Sequence, residues 1–243
     1  PRSTLFPYTT LFRSDKYLKK TETSASKFYK YQKLKKLFFI SLMPVAAIIF
    51  MFFIWFISEF FENEKAEKYF KNSLSSYEKS DYTKAWLECN YACSINSDPR
   101  YLTYKAIMMF RGHGVLEDSS SAQKIASEQK AKLEIYDDSI SFFLLGFMYE
   151  TGLGCVQDSK KALEYYQKSA DTGFSLSMIG IGRVLGQNEK AIEYLNKVVK
   201  LNPDLGEAYY VLGDIHFILQ DYDKAIENFR KFLNIVPDDY SCY

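Results

Sequence analysis

The sequence is poor in the residues that most often carry out chemistry in proteins. It has two histidines and four cysteines among 243 residues. Neither His113 nor His216 has a second histidine or a cysteine close by in sequence, so no metal site is expected. No serine stands in G-x-S-x-G, and the sequence contains neither a Walker loop nor a dinucleotide-binding fingerprint. We therefore expect a protein that is not an enzyme and that uses no cofactor, metal or small-molecule substrate.

Cysteine chemistry is also expected to be minor. Four cysteines scattered over 243 residues are too few for a disulfide framework. Cys89 and Cys93 lie four positions apart on a predicted helix and so share one face. An intrahelical disulfide has poor geometry at this spacing. We favour a role for both as small buried apolar side chains.

The near-neutral net charge of +1 hides two regions of opposite sign. Residues 15–36 carry eight lysines against two acidic residues, whereas residues 58–243 carry 21 Lys and Arg against 28 Asp and Glu. A nucleic-acid partner requires clustered basic residues. The acidic composition of the longer region therefore argues against nucleic acid as its partner.

The first fourteen residues are expected to be foreign to the protein. Residues 4–14, TLFPYTTLFRS, are identical to a translation of a common sequencing-library adapter. We therefore exclude residues 1–14 from the fold prediction and expect the native N-terminus to lie further upstream.

A long apolar run predicts a transmembrane helix. Residues 37–57 contain no charged residue in 21 positions. At about 1.5 Å per residue, a helix of this length spans roughly 31 Å, which is the thickness of the hydrocarbon core of a bilayer. Ser41 and Pro44 interrupt the run, and membrane helices tolerate both. The run exceeds the apolar part of a signal peptide and no A-x-A site follows it, so an uncleaved anchor is favoured over a cleaved signal or a buried core helix.

The charges on either side of this run predict its orientation. Five lysines lie between residues 27 and 36, whereas residues 59–67 are dominated by glutamate. Because positive charge is retained on the cytoplasmic side, we expect a single-pass protein with a cytoplasmic N-terminus and the rest of the chain outside the cytoplasm. In a bacterial inner membrane that compartment is the periplasm.

Residues 141–173 predict two short helices folded back on each other. Gly152 and Gly154 interrupt an apolar helix, and Asp158 suits the N-cap of a second helix. The second helix has apolar residues three or four positions apart, as a helix with one buried face does. The same spacing of glycines, aspartate and alanine occurs forty residues earlier, in residues 111–122. A period of roughly 34–40 residues is typical of an α-solenoid.

The pattern LG–Y–G-x-G–D–KA–YY–K–A–G in residues 141–173 resembles a Sel1-type repeat, a relative of the tetratricopeptide repeat. Residues 206–239 resemble a tetratricopeptide repeat at Tyr209, Leu212, Gly213, Ala225, Phe229 and Pro237, with His216 as a departure from its pattern. The resemblance implies an all-α fold, an α-solenoid of about five helix-turn-helix repeats preceded by one transmembrane helix.

The expected domain boundaries follow from these patterns. They are a basic cytoplasmic tail at 15–36, a transmembrane helix at 37–57, a juxtamembrane linker at 58–63, a tetratricopeptide-like repeat at 64–99, Sel1-like repeats at 100–137 and 138–173, a shortened repeat at 174–205 and a tetratricopeptide repeat at 206–239.

The resemblance also implies a binding groove, because the first helix of each hairpin in this family lines a concave surface. The expected groove residues are Phe143, Phe147, Glu150, Tyr210, Asp214 and Phe217. An aromatic and acidic groove suits an extended peptide with apolar and basic residues. The alternative for Phe143 and Phe147 is that they only pack against the neighbouring hairpin.

The resemblance implies a membrane-anchored, non-catalytic scaffold that binds other proteins or extended peptides, with the lipid bilayer contacted through residues 37–57. Such a protein could act as an accessory factor in the assembly of the cell envelope or in protein translocation. An alternative is the extracytoplasmic sensor half of a larger protein with a cytoplasmic kinase or DNA-binding domain upstream. A third possibility is a secreted repeat protein from which the apolar segment has been cleaved.

Overall fold

The computed structural model describes residues 9–236, with side chains from residue 26 onward, and the regular secondary structure of this part of the chain is α-helical throughout. Its ten helices are α1 (Thr9–Glu78), α2 (Tyr82–Ile95), α3 (Pro99–Arg111), α4 (Ser119–Leu133), α5 (Ser139–Thr151), α6 (Ser159–Ala170), α7 (Ser175–Leu185), α8 (Glu189–Leu201), α9 (Gly206–Ile218) and α10 (Tyr222–Ile235). The predicted all-α fold is confirmed. The chain divides into two compact units, Pro1–Phe60 and Phe61–Tyr243.

The described part of the first unit is helical. It belongs to α1, whose sequence has no glycine and one proline, Pro44. The side chains of residues 26–60 are exposed. An 18-residue window of this helix has a mean hydropathy of 2.7, which makes it long and apolar enough to be a candidate membrane span. Residues 15–36 and 58–63, expected to be a tail and a linker, are helical and lie within α1.

In the second unit, each helix from α2 to α10 packs against its neighbours in the chain. The first helices of successive hairpins, α3, α5, α7 and α9, also pack against one another. Small residues permit this close packing, because Ala122, Ala162 and Ala191 are fully buried near the start of three second helices. The unit is therefore a stack of helical hairpins with one continuous apolar core.

Aspartate begins most of these helices. The Asp158 carboxylate accepts hydrogen bonds from the backbone N–H groups of Lys160 and Lys161, both at 3.1 Å, which confirms its predicted role as an N-cap. Asp138, one of two adjacent aspartates at 137–138, caps α5 in the same way, because its carboxylate accepts hydrogen bonds from backbone N–H groups of the first turn. The free N–H groups at a helix start are thereby satisfied without tertiary contacts.

Tyr166 joins three helices at the centre of the stack. Its ring is fully buried and lies against Gly146 of α5 and Gly180 of α7, where an added Cβ would come within 2.5 Å and 2.4 Å of ring carbons. A side chain at either glycine would displace the ring. The absence of a side chain at Gly146 and Gly180 therefore allows α5 and α7 to approach α6 closely.

The last hairpin of the second unit returns to the first. The backbone N–H of Gly206, at the start of α9, donates to the Ser80 hydroxyl at 3.1 Å, across 126 positions of sequence. Ser80 occupies the turn between α1 and α2 with a positive φ of 58°. This contact brings the first helices of the hairpins around a common interior.

Candidate functional site

Two arginines and two glutamates meet in that interior, and we call Arg111, Glu150, Arg183 and Glu207 the ionic cluster. They come from α3, α5, α7 and α9, one from each of four successive hairpins. Arg183 binds Glu150 through two nitrogens, Nε to Oε1 at 2.7 Å and Nη2 to Oε2 at 2.9 Å. Glu207 Oε1 accepts from Arg183 Nη1 and, at 2.6 Å, from Arg111 Nη1.

Aromatic side chains extend this network at both ends. At one end the Tyr166 hydroxyl donates to Glu150. At the other, Arg111 donates to the Tyr77 hydroxyl at 2.9 Å, and that oxygen also lies 2.9 Å from Nδ1 of His113. The His113 ring stacks on Tyr82 with its centroid 4.2 Å away. The polar groups of this network are thus satisfied by one another, whereas the nearby buried hydroxyl of Tyr104 has no hydrogen-bond partner among the described residues.

The protonation states follow from burial and from these partners. Burial alone raises the pKa of Glu207, but the adjacent Arg111 and Arg183 outweigh it and lower the value to about 2. The pKa of Glu150 is lowered too, because Arg183 outweighs the effect of burial. Burial, reinforced by Arg111, lowers the pKa of His113 to about 4. At neutral pH the cluster holds two cations and two anions beside a neutral imidazole.

This balance assigns the cluster a structural role. Each arginine has its charge matched by a glutamate at hydrogen-bond distance, and the four side chains are between 12% and 20% exposed. A charged ligand would have to separate existing ion pairs, and separating a buried pair leaves a charge uncompensated. The cluster therefore ties four hairpins together instead of offering a binding site.

Three of the expected groove residues lie in this occupied interior. Phe147 is 1% exposed, with the guanidinium carbons of Arg111 and Arg183 located 4.8 Å and 5.9 Å from its ring centroid. Phe143 is buried against Phe174, with ring centroids 5.4 Å apart. The expectation that these two rings line an open groove is corrected, because neighbouring hairpins and two arginines cover them. The alternative that we considered for them, packing against the neighbouring hairpin, describes their placement.

The other three expected residues lie on one face of α9 and remain accessible. Tyr210 is 45% exposed and Phe217 is 58% exposed. Asp214 lies between them, half-buried, and it has no hydrogen bond or ion pair with the described residues. Burial raises the pKa of Asp214, so its charged form is destabilised in the absence of a partner. We call Tyr210, Asp214 and Phe217 the α9 face.

The arginines of the ionic cluster were not predicted from the sequence. Arg183 is the only charged residue in the apolar helix α7, SLSMIGIGRVL. An isolated charge in a helix that is otherwise buried needs a partner in the interior. That signal identifies Arg183 as an internal ion-pair residue, but its partners come from α5 and α9, and spacing along the chain does not reveal them.

The remaining singled-out residues have structural roles. Cys89 is buried and Cys93 half-buried, and both are free thiols, as is Cys155. His216, the departure from the tetratricopeptide pattern, is buried in α9. Among the side chains that the structure describes, no group of three His, Cys, Asp or Glu residues is placed to hold a metal ion. Pro237, the carboxylates at 238–239 and Cys242 lie outside the described residues.

These features define the class as a helical repeat protein whose hairpins stack through small residues and whose interior is tied by ion pairs. Family models agree at the level of single repeats. A Sel1 repeat matches residues 143–174, and tetratricopeptide repeats match residues 185–205 and 206–239. The resemblance to the Sel1 and tetratricopeptide repeats is confirmed, and such repeats are protein-interaction modules.

Known proteins are similar to parts of the chain. It is 26% identical over 186 residues to heat shock protein STI1 of Saccharomyces cerevisiae, covering 75% of this chain and 29% of that protein. It is 28% identical over 174 residues to mitochondrial import receptor subunit TOM70 of the same organism, covering 69% and 24%. It is 37% identical over 78 residues to the CTR9 homolog of Arabidopsis thaliana, covering 32% and 7%. The chain thus spans less than a third of the length of each of these relatives.

Solved structures are similar at lower identity. MamA aligns with a TM-score of 0.42 and 18% identity, covering 70% of this chain and 96% of that one. The Escherichia coli antigen c5321, which displays an SLR fold, aligns with a TM-score of 0.39 and 24% identity, covering 69% and 38%. A Sel1 repeat protein from Oxalobacter formigenes aligns with a TM-score of 0.38 and 18% identity, covering 69% and 70%.

Proposed function

We propose that this protein is a membrane-anchored scaffold that binds a partner protein or extended peptide on the α9 face. The observation that carries the proposal is Asp214, a half-buried carboxylate without a partner among the described residues, flanked on its helix face by exposed Tyr210 and Phe217. A lysine or arginine from a partner would supply the missing charge, and apolar partner side chains would cover the two rings. The ligand class is therefore a segment with basic and apolar residues.

The exposed surface continues from the α9 face into the turn that follows. Ile218 and Leu219 are 54% and 45% exposed, and Tyr222 at the start of α10 is 54% exposed. The Tyr222 ring lies 5.8 Å from that of Phe217. Removing such side chains from water contributes about 25 cal/mol for each Å² of apolar surface, and this contribution offsets the entropic cost of association. This continuity supports a contact larger than three side chains.

The membrane part of the proposal rests on residues 37–57. Their side chains are exposed and apolar, with eight lysines on the N-terminal side. We place residues 15–36 in the cytoplasm and the repeats across the membrane, and we retain the repeat boundaries 64–99, 100–137, 138–173, 174–205 and 206–239. Anchoring confines the α9 face to the membrane surface and raises its effective concentration toward other membrane-bound proteins. Among the relatives, a heat shock protein and a mitochondrial import receptor subunit favour an accessory role in assembly or translocation.

A photocrosslinking experiment on native membranes tests the binding surface. A benzoylphenylalanine at Tyr210 or Phe217 should trap the same partner, whereas one at the buried Phe147 should trap none and serves as the matched control. Asp214→Asn should reduce the yield at both exposed positions several-fold, because it removes the charge that a basic partner residue needs. Equal trapping from Phe147, or trapping that Asp214→Asn leaves unchanged, contradicts the proposal.

A further inference from the structure

The connections between the two helices of a hairpin differ in length, and a cleft lies where the connection is short. Residues 112–118 and 152–158 are seven-residue connections, whereas residues 186–188 join α7 to α8 with three. The two long connections contain the G-x-G sequences. Their first halves, which contain the glycines, fold back on the preceding hairpin, whereas Leu116 and Val156 further along are exposed.

The connection at residues 152–158 fills the space beside α4. Leu153 at its tip is fully buried. A Cβ at Gly154 would lie 2.5 Å from the backbone nitrogen of Ser127, so only glycine permits this approach. Gln123 of α4 donates to the carbonyl of Gly152 at 3.2 Å. The connection at 112–118 is equally close to the start of α2, since a Cβ at Gly114 would lie 2.2 Å from the Tyr82 carbonyl oxygen.

The equivalent space beside α6 has no such connection to fill it. Aligning the buried alanines Ala122 and Ala162 places Leu163 and Gln167 of α6 where Gln123 and Ser127 of α4 contact the long connection. The next connection, 186–188, is four residues shorter, and none of its residues lines this space. What remains is a cleft of about 630 Å³ between α6, α7 and α8, lined by Leu163, Glu164, Gln167, Lys168, Asp171, Ile181, Leu185, Lys190 and Tyr194.

A second difference enlarges the cleft. Aligning α5 with α7 through Ser141 and Ser177 places Leu185 where the earlier hairpin has Tyr149. Tyr149 is 7% exposed, and its ring stacks on that of Tyr165 with centroids 5.7 Å apart. A leucine fills less of the same space. Both the short connection and the smaller side chain therefore leave more volume than at the preceding hairpin, where the cleft lined by Tyr149 and Tyr165 is about 280 Å³.

The cleft has an apolar floor and a polar rim, which suit a turn like residues 152–154, the segment that lies beside α4 one hairpin earlier. Its floor is apolar, from Leu163, Ile181 and Leu185, and the Tyr194 hydroxyl donates to Gln167 at 3.0 Å on one side. At the rim, Glu164 and Lys190 form no ion pair with the described residues. An apolar side chain on a tight turn would fit the floor, and polar flanking groups would meet the rim.

We propose that this cleft binds a tight turn of a partner protein that presents one leucine-sized side chain next to glycine, in the manner of residues 152–154 one hairpin earlier. The proposal rests on the scaffold role above but not on the α9 face. This chain's own G-L-G turn is not available to a second copy, because Leu153 is buried in its own hairpin. The occupant is therefore a different protein.

A peptide that copies the intramolecular occupant tests the cleft. The probe is a fluorescent cyclic peptide with the sequence of residues 151–158 carrying Cys155→Ser, titrated against the full chain in lipid nanodiscs. We expect saturable binding with a Kd below about 1 mM, the weak range for a contact of this size. A peptide that also carries Leu153→Ala should bind at least tenfold more weakly.

Two protein variants locate the binding. Leu185→Tyr restores the larger side chain of the earlier hairpin and should weaken peptide binding at least tenfold, whereas Leu233→Tyr, the same change at an exposed position of α10, should leave it unchanged. Gln167→Trp obstructs the cleft from an exposed position and gives a second test if Leu185→Tyr does not fold, as judged by circular dichroism. The proposal is overturned if no peptide binding is detected up to about 1 mM, or if both obstructing variants, Leu185→Tyr and Gln167→Trp, bind the peptide as the unmodified chain does.

Two further outcomes distinguish this proposal from self-association of the chain and from binding at the α9 face. If the full chain self-associates in sedimentation experiments and Leu185→Tyr abolishes that association, the occupant is a second copy and the partner assignment is wrong. Crosslinking from Tyr210 reports on the α9 face alone. Loss of peptide binding with intact crosslinking rejects the cleft and leaves the scaffold role standing, and loss of both rejects the scaffold role.

Discussion

Replacing Glu207 by glutamine tests whether the ionic cluster holds the hairpins together. Glu207 accepts hydrogen bonds from two arginines, Arg111 and Arg183, while Glu150 accepts from one arginine, Arg183, and from Tyr166. Glutamine keeps the shape and one acceptor oxygen of glutamate but removes the charge. The variant Glu207→Gln therefore leaves two guanidinium groups facing one carboxylate in a largely buried interior.

The size of the effect follows from the environment of Glu207. Its pKa is lowered from 4.5 to about 2. A shift of that size corresponds to about 3 kcal/mol of preferential stabilisation of the charged form. Removing one partner of a buried ion pair typically costs about 3–5 kcal/mol. We therefore expect Glu207→Gln to lower the free energy of unfolding by about 3 kcal/mol.

Urea unfolding of the full chain in detergent measures this change. The chain has two tryptophans, so Trp55→Phe leaves Trp86, in α2 of the second unit, as the only tryptophan, and excitation at the long-wavelength edge of its absorption avoids tyrosine fluorescence. The matched control is Glu227→Gln on α10, which removes one side of an exposed pair with Lys231 at 2.6 Å. Such exposed pairs contribute about 0–1 kcal/mol.

A second variant separates charge from packing. Arg111→Met, added to Glu207→Gln, removes the excess positive charge while keeping an apolar stem beside Phe147. If uncompensated charge is the cause, the double variant should regain about 1 kcal/mol or more relative to Glu207→Gln alone. The charge argument fails if Glu207→Gln destabilises no more than Glu227→Gln does, or if the double variant shows the full additive loss.

Two other predictions follow from the same interior. The folded state should lose stability as the pH falls, because the pKa of His113 is lowered from 6.5 to about 4 and that of Glu207 from 4.5 to about 2, so that the unfolded chain binds protons first. The loss should begin below about pH 6.5 with His113 and continue to about pH 2 with Glu207, and thermal unfolding of His113→Gln should lack the part between pH 6.5 and 4. Gly180→Ala should destabilise by about 1–3 kcal/mol, because its Cβ would meet the buried Tyr166 ring. Helix propensity alone predicts the opposite sign, so a more stable Gly180→Ala in urea unfolding would contradict the close approach of α6 to α7.

Most of the fold was predicted from sequence patterns that extend over only a few residues. Apolar residues three or four apart, an aspartate or asparagine before each second helix and glycines at the helix ends act over a few residues, so their effect can be read from the chain directly. Asp158 is an N-cap as expected, and Gly152 ends α5 in the left-handed conformation that glycine favours. The uncharged residues 37–57 likewise mark a candidate membrane span by length and composition alone.

The binding groove could not be predicted in the same way. Spacing placed Phe143, Phe147 and Glu150 on one face of a helix, and they do share it. What covers that face comes from distant positions, since Arg183 and Arg111 contact Phe147 from α7 and α3. The curvature that brings Gly206 to Ser80 depends on the summed packing of every hairpin.

The sequence by itself determined the class of the protein, an all-α stack of helical hairpins, because each hairpin is specified by capping, turn and apolar-stripe residues within about 40 positions of one another. Only the tertiary structure decided which surfaces are free. The interior is filled by ion pairs between residues up to 96 positions apart, such as Arg111 and Glu207, and a shortened connection opens a cleft beside α6. Whether a residue is accessible depends on which residue lies opposite it. In a stack of repeats, the number of hairpins between two residues and the angles between those hairpins decide which residues face each other.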